Sequence, residues 1–261
     1  MTASTDHARL GDALLAAYDS KQPIAPITST VEGLQVADAY AIQQHQVAAW
    51  TASGRTIRGR KVGLTSLAMQ RQLGVDQPDY GVLLDDMFHL DSMPIEASRF
   101  ISPKVEPEIS FMLKKPLAGP GVTVAEAIQA VDYAIASIEI IDSRIADWKI
   151  TLVDTIADNA SSGGVVLGTR PVELRDIDLF TTGCVLTKNG AVVDTGAGGA
   201  VLGSPIGSLV WLANTLGQLG VSLEAGEVVM PGSVCAAVAV SAGDTVTAHF
   251  GALGPVTARF V

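Results

Sequence analysis

The sequence predicts an α+β protein, and three observations carry that expectation. The first fifty residues place apolar side chains at helical spacing. The centre holds apolar runs of strand length. The last hundred residues are mostly turn and strand signals around one amphipathic helix. The expected organisation is a helix-rich N-terminal part, residues 1–75, and a β-rich core, residues 76–261, forming one continuous structural unit without repeats or a low-complexity linker.

Leu10, Leu14, Leu15 and Tyr18 fall on one helical face. Ser29-Thr30-Val31-Glu32 fits a capping box, and Leu34, Ala37, Tyr40, Ala41, Ile42 and Val47 continue a helix to about Ala52, closed by Gly54. TIRGRKVGLT, Thr56 to Thr65, is rich enough in β-branched residues for a short strand. A short helix from Ser66 to Leu73 and the turn GVDQPDYG, Gly74 to Gly81, follow.

Glu106 to Leu113 reads as a strand. Thr123-Val124-Ala125-Glu126 is a second capping box, opening a helix to about Val131. Tyr133 to Ile141, YAIASIEII, is apolar except for Ser137 and Glu139, as a strand covered on both faces would be. Cys184 to Gly196 is a hairpin turning at Lys188-Asn189-Gly190, through the Asn-Gly pair. Pro205 to Leu219 is an amphipathic helix, with Ile206, Leu209, Val210, Leu212 and Leu216 on or near one side. Short strands around Val228, Val246 and Val256 end the chain.

Composition narrows the function classes. The 261 residues are 48% hydrophobic and 17% charged, with a net charge of −10. That balance suits a packed globular chain and argues against nucleic acid or an anionic membrane as partner. The opening MTASTDHARLGDALLAAYDS lacks the cationic and apolar regions of a signal peptide. The apolar stretch from Val228 to Ala242 is interrupted by Pro231 and Gly232 and is too short to span a bilayer. The expected location is cytoplasmic. Cys184 and Cys235 stand in no metal-ligand spacing and read as reduced core thiols. An acidic chain this rich in apolar residues is expected to hide part of its surface in a homo-oligomer.

The chemistry concentrates in KVEPEISFMLKK, Lys104 to Lys115. In a strand, Glu106 and Glu108 project from the same face. Two adjacent carboxylates repel, so they must lie in water, be protonated, or share a cation. Alone, the pair fits a solvated strand end. Glu139 is harder to explain that way, because its neighbours in SIEII are apolar except Ser137. It requires either an ion pair, with Arg144 or Lys149 as partner by spacing, or a divalent cation shared with Glu106 and Glu108. Three carboxylates suit Mg²⁺ or Mn²⁺ and leave much of an octahedral shell open. His7, His45, His89 and His249 are scattered, so zinc is not expected. Lys61, within GRKVGLT, is either a surface lysine lying along apolar neighbours or the cation that brings such a site to zero net charge.

With these residues assembled, the chain resembles the hydratase/decarboxylase branch of the fumarylacetoacetate hydrolase superfamily. GRKVGLTSLAMQRQLGVDQPDYGVLLDDM (Gly59 to Met87), KVEPEISFML (Lys104 to Leu113) and IEIIDSRIADWKITLVDTIADNASSGGVVLG (Ile138 to Gly168) carry the resemblance. LGSPIGSLVWLANTLGQLG and GEVVMPGSV extend it over nearly the whole chain.

The resemblance implies a distorted β-roll core preceded by a smaller helical part. It implies a metal, Mg²⁺ or Mn²⁺, on Glu106, Glu108 and Glu139, catalytic roles for Lys61 and Asp79, and substrate contacts from Lys61 and Ser162. Asp142, Arg144 and Asp154 are expected to orient the site or link strands. The implied activity is addition of water to 2-hydroxypenta-2,4-dienoate, a small anionic 2-hydroxydienoate, giving 4-hydroxy-2-oxopentanoate in meta-cleavage catabolism of aromatic compounds or steroids. The sister activity is decarboxylation of 4-oxalocrotonate, towards which Pro107 leans. DWKITLVDT and VDQPDYG lean towards hydration. A reading from another class is a metal-stabilised scaffold docking a pathway enzyme. The family context also implies homo-oligomers and association with other meta-cleavage enzymes.

Overall fold

The computed structural model describes residues 3–66, 70–71 and 74–261. It is α+β. Strands β1 (Ile57–Gly63), β2 (Asp79–Leu84), β3 (Phe88–Leu90), β5 (Lys104–Leu113), β6 (Val131–Ile141), β7 (Ser162–Leu167) and β10 (Val228–Met230) form a large mixed sheet in the order β2-β1-β10-β5-β6-β7-β3, with β11 (Val238–Ala239) also on β5. A second sheet runs β4 (Pro94–Ile95), β13 (Gly254–Phe260), β12 (Thr245–Phe250), β8 (Gly183–Lys188), β9 (Ala191–Ala197). β1 lies between β2 and β10, so a strand from the first 75 residues is built into the sheet of the remainder.

Period-two alternation gives β5 and β6 two different faces. Val105, Ile109 and Phe111, with Ala134, Ala136, Ile138 and Ile140, pack into a core shared with Val246, Ala248 and Val256 of the second sheet. Full burial of each larger side chain stabilises the fold by ~1.5–3 kcal/mol. The opposite face carries Glu106, Glu108, Ser110, Ser137 and Glu139, and Ser110 Oγ and Ser137 Oγ bond at 2.6 Å. The sheet therefore buries a polar face against the N-terminal part.

That part contains α1 (Ala3–Ser20), the one-turn α2 (Ile27–Thr30) and α3 (Val36–Ala52). Val47 and Trp50 of α3 pack on Val82, Leu84, Val228 and Met230. Leu10, Leu14 and Ile42 pack against Ile156 and Ala157 of α5 (Leu152–Ala157), which follows the short α4 (Val124–Ala130). Gln43 Nε2 donates to Tyr80 O at 2.9 Å and Ile156 O at 3.1 Å, fixing β2 and α5 to one helix.

The helix expected after Ser29 starts later. Ser29 Oγ and Thr30 Oγ1 donate backwards to Pro26 O and Ile27 O, and Thr28 is held by Asp154. The cap of α3 lies instead at Gln35, whose N–H donates to Asp38 Oδ2 at 2.8 Å. The turn expected over Gly74 to Gly81 ends early, because Asp79–Leu84 is a strand. Gly81 interrupts its apolar pattern for a steric reason: a Cβ there would lie 2.4 Å from Asn159 O. Strand β7 is also unanticipated, its Ser-Gly-Gly start having no strand signature. Of the helix expected over Ser66 to Leu73, Gln70 and Arg71 are helical, while 67–69 and 72–73 lie outside the described residues. The second capping box holds at Thr123 and Glu126. The Asn189-Gly190 turn joins β8 to β9 with φ of 53° and 82°. The amphipathic helix is α6 (Pro205–Gln218), with Leu209, Leu212 and Leu216 buried.

Candidate metal centre and active site

Glu106 and Glu139 are directly opposed across the antiparallel β5–β6 pair, and Glu108 follows Glu106 on the same face. Pro107, which offers no N–H, stays paired with Ile138 of β6 but occurs where β5 lacks a regular strand on its other side: β11 pairs at Lys104 and Val105, β10 at Phe111 and Met112, and a loop fills the gap. That loop contributes to the centre. Gly232 N–H donates to Glu108 Oε2 at 2.8 Å, and its φ of +122° suits glycine. A Cβ at 232 would sit 2.0 Å from Thr65 Oγ1.

The three carboxylates bring ligand oxygens within 4.8 Å of one another. Glu108 and Glu139 are buried, and among the described residues no donor meets Glu108 Oε1 or Glu139 Oε2. Burial and then Glu139 push Glu106 up to about 7, and burial with Glu139 pushes Glu108 well above the carboxylate range. Burial raises Glu139 as well, with Lys61 pulling the other way. Buried carboxylates so placed either take up protons or share a cation. Unpartnered oxygens on three convergent hard ligands fit a divalent cation with an oxygen shell.

Lys61 lies on β1 beside Met230 of β10 and Gly81 of β2. It is buried rather than lying on the surface, with Nζ 3.3 Å from Glu139 Oε1. Burial opposes its charge, but Glu139, Asp79, Glu106 and Glu108 outweigh burial and hold the ammonium protonated. The partner of Glu139 is thus Lys61. Arg144 pairs with Asp158 at 2.6 Å and Lys149 with Asp147 at 2.9 Å, so the spacing-based alternatives are overturned. Asp79, opposite Gly63 on β2, is raised by burial, with Lys61 countering. A Cβ on Gly63 would lie 2.2 Å from Asp79 Oδ1, so glycine makes room for this carboxylate beside Lys61.

Lys61, Asp79 and Glu106 open onto one cavity of about 290 Å³. Lys104, Trp148, Thr155 and Ser161, none of them anticipated, also line it. A lobe of about 140 Å³ shares Gly63, Leu64, Glu106 and Ala237 with it and adds Ser233 and Cys235. Lys104 Nζ stands 4.2 Å from the Trp148 ring centroid, a cation–π contact at the wall.

Ser162 does not line the cavity. It is fully buried, and its Oγ donates to Asn159 O at 2.8 Å. Asn159, Ala160 and Ser161 hold φ of 51°, 50° and 54°, and this left-handed turn brings the preceding serine, Ser161, to the wall. Three successive non-glycine residues there store strain of ~1–3 kcal/mol each. No glycine or proline in ADNASS signals the turn. The other motif residues link elements as expected. Asp142 accepts the Ile101 and Ser102 N–H groups, Arg144 binds Asp158, and Asp154 joins Thr151 to Thr28. Cys184 and Cys235 are free thiols, both pushed up to about 12 by burial; Cys184 is a core residue and Cys235 is half-buried.

The fumarylacetoacetate hydrolase C-terminal family model matches residues 61–261. The chain is 47% identical over 247 residues to 2-keto-4-pentenoate hydratase of Paraburkholderia xenovorans (strain LB400), covering 95% of this chain and 92% of that protein. It is 40% identical to the TodF product hydratase of Pseudomonas putida (strain F1), covering 97% and 94%. Among solved structures, 4-oxalocrotonate decarboxylase from Pseudomonas putida G7, complexed with magnesium and adipate, superposes with a TM-score of 0.96 at 40% identity, covering 100% of this chain and 99% of that one. The chain belongs to the fumarylacetoacetate hydrolase family.

Proposed function

We propose that the protein is a metal-dependent hydratase that adds water to 2-hydroxypenta-2,4-dienoate, giving 4-hydroxy-2-oxopentanoate. The observation carrying this reading is the convergence of Glu106, Glu108 and Glu139 behind a cavity that Glu106 lines together with Lys61 and Asp79. The hydratase names of relatives matching 95% of the chain support it. Glu106, Glu108 and Glu139 would hold the cation, Mg²⁺ or Mn²⁺, which would supply Lewis-acid stabilisation of enolate charge.

The remaining work falls to the chain itself. Hydration moves a proton from the enol to C5, then places hydroxyl on C4 and hydrogen on C3 of the unsaturated 2-oxo acid. Lys61, kept charged, faces the developing enolate oxygen. Asp79, whose proton affinity burial raises, takes the proton of the attacking water and returns it to C3. Ser161 and Lys104 orient the substrate, replacing the contact expected from Ser162. The apolar walls Leu64, Ile141 and Ile150 limit competing water. The reading includes a cytoplasmic homo-oligomer acting on small anions; the exposed Val192 and Phe180 near β9 support buried contacts between copies.

Decarboxylation of 4-oxalocrotonate is the second reading, supported by Pro107 and the likeness to the decarboxylase structure. The deciding assay supplies purified protein with Mg²⁺ or Mn²⁺ and freshly generated 2-hydroxypenta-2,4-dienoate. Loss of dienol absorbance with formation of 4-hydroxy-2-oxopentanoate is the expected result. Release of CO₂ from the six-carbon diacid, with no hydration of the dienoate, would transfer the assignment to the decarboxylase.

A further inference from the structure

A second cavity, of about 350 Å³, shares no lining residue with the catalytic one. It lies where the end of α1 and α3 meet the end of β6. In a chain with 17 basic and 27 acidic residues, its lining reverses the balance, with Lys21, Arg55, Arg99 and Arg144 against Asp19, Asp86 and Asp142. The aspartates are largely committed. Asp86 pairs with Arg55, and the Asp142 oxygens accept N–H groups from Ile101 and Ser102, while Asp19 is exposed.

Three cations retain donors that the described residues leave without acceptors. Arg144 is 1% exposed and commits Nε and Nη2 to Asp158. Its Nη1 makes no hydrogen bond among the described residues, the nearest carboxylate oxygen being Asp142 Oδ2 at 3.6 Å. Arg99 donates to the Asp86 carbonyl at 3.2 Å, and Lys21 to the Tyr18 carbonyl. Neither has a carboxylate within ion-pair distance among the described residues. Lys21 also holds a φ of 57° at the end of α1, a position that favours glycine.

The remaining walls are aromatic or apolar. Tyr18 and Trp50 pack edge to face at 5.2 Å, the Arg144 guanidinium lies 4.0 Å from the Tyr18 centroid, and Met87 and Phe100 complete the surface. A cavity of ~300 Å³ or more with apolar walls and a few convergent polar groups is the usual form of a small-molecule site. Here the polar groups left uncommitted are the donors of Lys21, Arg99 and Arg144, which select an anion, and the aromatic walls select a flat apolar body. We propose that this cavity binds a small aromatic carboxylate, its carboxylate held by Arg99, Arg144 and Lys21 and its ring against Trp50 and Phe100.

The test uses the Mg²⁺-loaded protein and 4-bromobenzoate as probe. Calorimetric titration is expected to show binding that persists in Glu106→Gln/Glu139→Gln. It should weaken at least tenfold in Lys21→Gln/Arg99→Gln, or in Arg99→Gln alone if the double variant melts early. Neutral 4-bromobenzyl alcohol should bind at least tenfold more weakly than the acid. Crystals soaked with the probe should place the bromine anomalous signal beside Trp50 and Phe100. Bromine only at the catalytic cavity, affinity unchanged in Arg99→Gln, equal binding of the alcohol, or no binding in solution would each overturn the proposal. Because the readout is binding, a failed hydratase assay leaves this result independent.

Discussion

Glu106 and Glu139 are directly opposed residues of one antiparallel strand pair, so the sheet register itself sets their side chains next to each other on one face. Glu108, two residues on, joins them on the same buried face. The backbone thus gathers three buried carboxyl groups beside a single ammonium, Lys61, so that ionising all three requires a further positive charge.

Removing one of those carboxyl groups should stabilise the metal-free protein. Glu108→Gln keeps the shape and the acceptor for Gly232 N–H while deleting a buried carboxylate whose Oε1 has no donor among the described residues. In chelator the variant should gain ~1–3 kcal/mol, the scale on which buried unsatisfied groups cost stability. Mg²⁺ at 100 times its dissociation constant should add ~2.7 kcal/mol to the wild type and much less to the variant. Thermal and urea unfolding with and without Mg²⁺ measure both. Equal Mg²⁺ responses would refute the triad as the metal site.

Gly63→Ala should damage catalysis more than folding. The new Cβ would lie 2.2 Å from Asp79 Oδ1 and 3.3 Å from Lys61 Nζ, so the carboxylate must move. A displacement of this size costs on the order of 100-fold in kcat. KM should change less than kcat, and circular dichroism should remain that of the wild type. Wild-type kcat would show that Asp79 does not act in its observed position.

His89 sets an acid-side stability limit remote from the metal centre. Burial lowers it from 6.5 to about 4, with Arg99 reinforcing and Asp86 opposing. The folded protein keeps the imidazole neutral while the unfolded chain takes up a proton below its ordinary value. Stability should therefore fall as pH drops from 6.5 to about 4, and this contribution should level off below. His89→Phe should flatten the melting-temperature profile across that window. An unchanged slope would mean that His89 is not the group responsible.

The fold was legible where a residue pattern has one physical outcome. Asn189-Gly190 fixes a hairpin, Thr123 and Glu126 cap a helix, and Glu139 in an apolar strand demands a positive partner. The triad and Lys61 came together for that reason. Strand β2 was hidden because Gly81, required by the approach of Asn159, breaks its pattern. Ser161 was hidden because its exposure depends on a strained left-handed turn built of ordinary residues. Lys104 and Trp148 were hidden because their meeting, across more than forty residues, is set by the tertiary fold alone.

The proposed centre joins Glu106, Glu108 and Glu139 on one divalent cation. Mn²⁺ titration followed by electron paramagnetic resonance, on wild type and Glu106→Gln/Glu139→Gln, tests it most directly. One tight ion per wild-type chain and none in the variant is the expected result. Equal tight binding in both proteins would contradict it.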